Sequence, residues 1–211
     1  MLSPDQFLAF LAAAMLITLS PGPDNLMILS FGVSRGRRQG MTFGLGCALG
    51  CLSHALLATL GVSALIAASL WAFTALKICG GLYLVWLGIG ALRRRGSTFQ
   101  ASSEAGQSQD SLRALFVKGL IANAINPKVV LFFLAFLPQF VRTAEGSIAW
   151  QTAQLGIVFT LQAAILFGLL GYFSGHVGQM LVRSRKAGMW LDRIAGAIFV
   201  LLGLRLIASK L

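Results

Sequence analysis

Two short stretches hold the residue types that could do chemistry. Ser20-Pro21-Gly22-Pro23-Asp24-Asn25 places a carboxylate directly after two prolines and a glycine. Asn123-Ala124-Ile125-Asn126-Pro127-Lys128 places an ammonium directly after a proline. Both lie inside apolar runs that are otherwise long enough to cross a bilayer. A proline within a helix removes a donor and clashes with the preceding turn, so each stretch must interrupt its helix. A broken helix and a charge at membrane depth are costly unless protein or a water-lined cavity satisfies both. The two stretches therefore read as halves of one site.

The chemistry follows from the breaks. Gly22 can cap a half-helix that starts at Pro23, and Asn126 one that starts at Pro127. Each half-helix start carries free N–H groups and about half a positive charge. A carboxylate is a natural ligand there. Asp24 can hold an ammonium group, and Lys128 can assist the carboxylate or hold Asp24 when no ligand is bound. Together these describe a site for a zwitterion, that is, an amino acid. Ser20, Asn25, Asn123 and Gln162 could add hydrogen bonds to it, or could bond between helices instead. At about 1.5 Å per residue, Asp24 lies ~16 Å along its helix from Arg35, and Lys128 ~21 Å from Arg142. Both then fall near the middle of a hydrocarbon core roughly 30 Å thick. Two plainer readings use the same residues: a buried structural ion pair, and prolines that merely kink their helices.

A third set is weaker. Cys47, Cys51 and His54 share one helical face at i, i+4 and i+7. Three such ligands suit a thiophilic metal ion, but no fourth ligand is evident where structural sites normally show four. His54 is also a candidate, with Asp24, for proton coupling. Lys77 and Lys118 lie nearer span ends and are expected to snorkel to the interface.

These residues need elements to position them, and composition says which kind. The chain is 57% hydrophobic and only 11% charged, against about 25% charged in soluble domains. Residues 41–76 contain no Lys, Arg, Asp or Glu. The expected fold is an all-α membrane protein of six spans, with the first and fourth broken. The spans run over about 7–33, 41–65, 71–92, 112–141, 149–173 and 189–207. A polar loop over 96–111 separates repeat one, about 1–95, from repeat two, about 112–211, in a single transporter domain. The lipid bilayer is thus one partner.

The two halves echo each other. Gly81 to Gly88 and Gly196 to Gly203 each read as glycine, six mostly apolar residues, glycine. The breaks at Ser20-Pro21 and Asn126-Pro127 occupy matching places. Three spans per half is an odd number, so the halves point oppositely. Inverted repeats with a discontinuous helix in each half point to a secondary transporter with a midplane site. Gly40, Gly44, Gly46 and Gly50 form small-xxx-small pairs for close helix packing, with homodimerisation through such faces as one use.

The net charge of +11 sits in short loops rather than in a basic helix or aromatic-interleaved patch, which argues against nucleic acid. Turns after spans one, three and five hold Arg35, Arg37, Arg38; Arg93, Arg94, Arg95, Arg113; and Arg183, Arg185, Lys186. The other side offers Arg142 and Lys210. The positive-inside rule puts those turns in the cytoplasm and both termini outside. The three cysteines fall in apolar runs and imply no disulfide framework. No hydrolase, zinc-protease or P-loop signature is present, so neither an enzyme nor a cofactor is expected.

The first break, the trailing Ser34-Arg35-Gly36-Arg37-Arg38-Gln39-Gly40, and Asn126-Pro127-Lys128 through Phe132-Phe133-Leu134-Ala135-Phe136-Leu137-Pro138-Gln139-Phe140 resemble the LysE/RhtB family of bacterial amino-acid exporters. The likeness covers essentially the whole length. It implies an inner-membrane exporter of amino acids such as homoserine, threonine, leucine or lysine, driven by exchange with protons. A heavy-metal transporter and a non-transporting membrane scaffold are the other readings.

Overall fold

The computed structural model describes residues 2–93, 110–142, 145–183 and 185–208. The expected loop over 96–111 lies outside these except for Asp110 and Ser111, and so do Arg94, Arg95 and Lys210. The side chains of Arg183 and Arg185 are likewise outside the description. Everything described is helical or connecting chain. The elements are α1 (Pro4–Leu19), α2 (Pro23–Arg35), α3 (Arg37–Ala68), α4 (Leu70–Arg93), α5 (Leu112–Ala124), α6 (Pro127–Leu131), α7 (Ile148–Tyr172), α8 (Ser174–Arg183) and α9 (Arg185–Ala208).

Both breaks occur where the prolines demand them. α1 and α2 meet at 55°, and α5 and the Pro127–Phe140 segment at 49°. Gly22 is fully extended between two prolines, so no helical hydrogen bond crosses Pro21. Beyond α6 the helix widens to a π turn over Phe132–Phe136 and tightens to a 3-10 turn over Leu137–Phe140. Pro138 accounts for this, because it has no N–H for the turn before it.

Among the described residues, three helical stretches are long and apolar enough to span a membrane, or five if each bent pair counts as one crossing. The sixth expected crossing, about 189–207, corresponds to α9, which is not one of these five. The outer surface agrees with a lipid setting. All four tryptophans, Trp71, Trp86, Trp150 and Trp190, are exposed, as are Leu56, Leu57, Leu60, Leu161 and Ile165. Such a surface is stable against acyl chains and unstable against water.

One corner is tighter than the sequence suggests. The expected turn over 34–40 is a single residue, Gly36, with φ +103°, and Arg37 already opens α3. Only glycine takes that conformation without strain, so α2 and α3 turn back on each other at once.

α3 is the central helix, and its glycines set how closely its neighbours approach. A Cβ on Gly40 would lie 3.0 Å from the Ile28 carbonyl of α2, and one on Gly44 2.9 Å from the Phe167 carbonyl of α7. A Cβ on Gly50 would lie 2.8 Å from the Leu120 carbonyl of α5. These faces are filled by the chain's own helices, so a homodimer would need another surface. The two matched glycine runs meet in space. A Cβ on Gly81 would crowd the Gly203 carbonyl and one on Gly203 the Gly81 carbonyl, and Gly88 and Gly196 repeat that reciprocity. α4 and α9 therefore pack backbone to backbone and antiparallel.

Candidate functional site

The two breaks lie side by side. Asp24 is in the first turn of α2, where the helix dipole favours an acid. It is 1% exposed, and its Oδ2 accepts from Asn123 Nδ2 at 2.7 Å. Asn123 comes from the end of α5, just ahead of the second break, and its carbonyl lies 3.0 Å from His54 Nε2. Asn25 Nδ2 reaches back across the first break to the Thr18 carbonyl at 2.9 Å. Asn126 caps α6, its Oδ1 accepting from the Lys128 amide at 3.1 Å.

Lys128 is also buried, but it is not the partner of Asp24. Its Nζ donates to the carbonyls of Ile17 at 3.1 Å and Ser20 at 3.0 Å, the free acceptors at the end of α1. Of the two roles open to Lys128 from sequence, a direct contact with Asp24 is not the one seen here. The physical reason is that a cation in the first turn of α6 opposes that helix's dipole, whereas the carbonyl end of α1 welcomes it. Gly22 makes the path possible, since a Cβ there would sit 2.8 Å from Lys128 Nζ. Ser20 supplies its carbonyl to Lys128 and turns its hydroxyl to the Ile17 carbonyl at 2.7 Å.

Asp24, Lys128 and Asn123 line one cavity with Thr18, Cys51, Val129, Phe132 and Phe159. Its volume, about 10 Å³ for the centre of a water-sized sphere, suits one water and not an amino acid. A larger ligand requires the half-helices to separate. Four buried polar atoms at the two breaks and on the residue bonded to Thr18 have no partner: Asn25 Oδ1, Asn123 Oδ1, Asn126 Nδ2 and Gln162 Oε1, of which Asn123 lines the cavity. Buried polar groups are nearly always paired, so a cluster of unpaired ones marks a place where something polar binds.

Ties at both ends of the bundle join the half-helices. At one end Arg35 Nη2 donates to the Asp110 carbonyl at 2.9 Å, and Lys118 pairs with the Asp110 carboxylate at 2.7 Å. At the other, Gln6 donates to the Phe140 carbonyl and to Gln151 Oε1, the latter at 2.9 Å. Arg142 there bonds Glu145 and Asp5, which hold its guanidinium above its usual pKa. Rings of Phe10, Phe132, Phe136 and Phe140 fill the space between this end and the cavity.

Most of the residues singled out from sequence thus converge: Ser20 to Asn25, Asn123, Asn126, Pro127 and Lys128. Gln162 reaches the site through Thr18. Cys47, Cys51 and His54 do share a buried face of α3, but among the described residues no group of three His, Cys, Asp or Glu side chains is arranged to hold a metal ion. Lys118 is exposed as expected, whereas Lys77 is buried rather than snorkelling. Thr18 and the Gln6–Gln151 tie were missed. The available signal for Thr18 was its place in the last turn before the first break.

The model of the LysE type translocator family matches residues 15–210. The chain belongs to the LysE type translocator family. It is 34% identical to the threonine efflux protein of Escherichia coli, over 95% of this chain and 98% of that one. It is 32% identical to an uncharacterized membrane protein of Vibrio cholerae, over 97% of each. It is 28% identical to the homoserine/homoserine lactone efflux protein of Salmonella typhimurium, over 96% of each. No solved structure matches. The resemblance read from the two breaks is therefore established across the chain, and this LysE-type translocator is a membrane protein whose family transports rather than catalyses.

Proposed function

We propose that this translocator exports an amino acid or a close derivative from the cytoplasm, by alternating access around the two breaks and in exchange for protons. The observation that carries the reading is the cavity in which Asp24 and Lys128, one from each break, stand on opposite partners. Because they do not neutralise each other, a dipolar ligand can take both. Its ammonium replaces Asn123 at Asp24, and its carboxylate draws Lys128 away from the α1 carbonyls. Asn25, Asn126 and Asn123 supply the unpaired polar atoms that complete its shell. Threonine and homoserine efflux in the relatives fit a small zwitterion of this kind.

Proton exchange is assigned to Asp24, with His54 behind it through the Asn123 carbonyl. The six-span inverted repeat is part of the same reading, supported by the paired bends and the reciprocal Gly81/Gly203 and Gly88/Gly196 contacts. In this reading the ends of α2 and α4 face the cytoplasm of a bacterial inner membrane and both termini the far side, an orientation supported by the basic turns.

The test is uptake of a panel of labelled amino acids into inverted membrane vesicles with an acidic lumen. Accumulation of at least one, collapsed by a protonophore, is expected. Vesicles holding the protein in quantity yet accumulating none of them would overturn the proposal.

A further inference from the structure

We propose that Thr18 and Gln162 are the specificity-determining pair of this site, and that they select a substrate whose side chain carries a hydroxyl. This rests on the amino-acid reading above and adds the chemical feature by which one amino acid is chosen.

The hydrogen bonding of Thr18 differs from that of three other helical threonines. Thr59, Thr152 and Thr160 each donate their hydroxyl to the carbonyl four residues earlier, at 2.7, 2.8 and 2.9 Å. A threonine in a helix normally spends its proton that way. Thr18 does not. Its Oγ1 accepts from Gln162 Nε2 at 2.9 Å, and its hydroxyl proton has no acceptor. Thr18 lines the cavity with Asp24 and Lys128.

The direction of that bond is fixed by the network. Gln162 Nε2 also donates to the Phe159 carbonyl at 3.0 Å. Exchanging the amide oxygen and nitrogen would set an oxygen against that carbonyl, so the nitrogen must face Thr18. Two consequences follow. Thr18 is obliged to act as an acceptor toward α7 and keeps its proton for another group. Gln162 Oε1 is buried and has no partner.

One unused donor on the cavity wall, at Thr18 of α1, and one unused acceptor on the side chain bonded to it, at Gln162 of α7, thus belong to one hydrogen-bonded pair. A hydroxyl is the small group that answers both, because it accepts and donates at once. Apart from the charged and amide groups that the reading above assigns to the ligand's ammonium and carboxylate, the wall is largely apolar, with Ile17, Val129, Phe132, Phe159 and Phe167. A methyl in place of the hydroxyl would leave both groups unpaired in a buried site, which is how a polar pocket rejects an isostere.

The test uses the full chain in proteoliposomes, with labelled threonine and labelled valine, which differ by hydroxyl against methyl. The wild type is expected to favour threonine in kcat/KM by on the order of ten- to a hundredfold. Thr18→Val and Gln162→Leu should each bring that ratio to within about threefold of one. Thr18→Ser, which keeps the hydroxyl, should retain the preference. A wild-type ratio near one, or variants that slow both substrates alike and leave the ratio intact, would overturn the proposal, the second outcome marking the pair as structural. If the wild type moves no amino acid of the wider panel, the transport reading fails with it. Movement of amino acids regardless of the hydroxyl sinks only the present inference.

Discussion

The two breaks occupy matching places in the chain and solve opposite electrostatic problems. Asp24 stands in the first turn of its half-helix, where free N–H groups favour a negative charge, and needs only one further donor, from Asn123. Lys128 stands in the first turn of its own half-helix, where the same dipole repels it. It is stable because α1 ends beside it with two carbonyls that accept from it. The acid is therefore supported locally and the base only by its neighbour. Each break also completes the other: the second sends Asn123 to the acid, and the first opens a path for the lysine by having no Cβ at Gly22. A ligand that drew Lys128 off α1 would release the contact between the half-helices, which couples occupancy to movement.

The comparison can be broken most severely at the acid. Asp24→Asn is expected to lower export by roughly a hundredfold or more, the scale of losing one member of a buried charged contact. The protein should still reach the membrane, as a membrane-fraction immunoblot would show. Undiminished export would remove Asp24 from the site.

Lys128→Met comes next. It leaves the Ser20 carbonyl without a donor and the Ile17 carbonyl with the Ser20 hydroxyl alone, a loss of about 1–3 kcal/mol. Thermal unfolding in detergent should therefore fall, and export should drop by about tenfold or more. Normal unfolding in this variant would mean that the lysine does not tie the half-helices together.

Gly22→Ala sharpens the same contact more gently. The new Cβ meets the flexible end of the lysine rather than backbone, so stability should change by less than about 1 kcal/mol. Export should fall a few-fold, and not further when combined with Lys128→Met, because both act through one contact. Additive losses in the double variant would show that glycine is needed there for another reason.

The smallest effect is expected at Asn126→Ala, which removes the α6 cap and costs about 1 kcal/mol in unfolding. Export by this variant should fall a few-fold, because Asn126 Nδ2 is one of several polar atoms that complete the ligand's shell. Export at the wild-type level would take Asn126 out of that shell and leave it as a cap alone.

Where the helices stop was legible from local residues alone. Pro21, Pro23 and Pro127 lack donors wherever they are placed, and Gly22 and Asn126 are caps by local chemistry. The apolar runs and the matched Gly-x6-Gly stretches were equally readable, since helix length and backbone access depend on residues close in sequence. Tertiary structure alone decided the partners. Lys128 bonding Ile17 and Ser20, Asn123 bonding Asp24, and Gln162 committing Thr18 to accept join residues 99 to 144 positions apart. No periodicity signals such pairs. The single-residue corner at Gly36 belongs to the same class, because a glycine permits a positive φ but only the packing of α2 on α3 selects it. Sequence names the groups that must be satisfied at membrane depth, and the packed bundle chooses which of several equally capable neighbours satisfies each one.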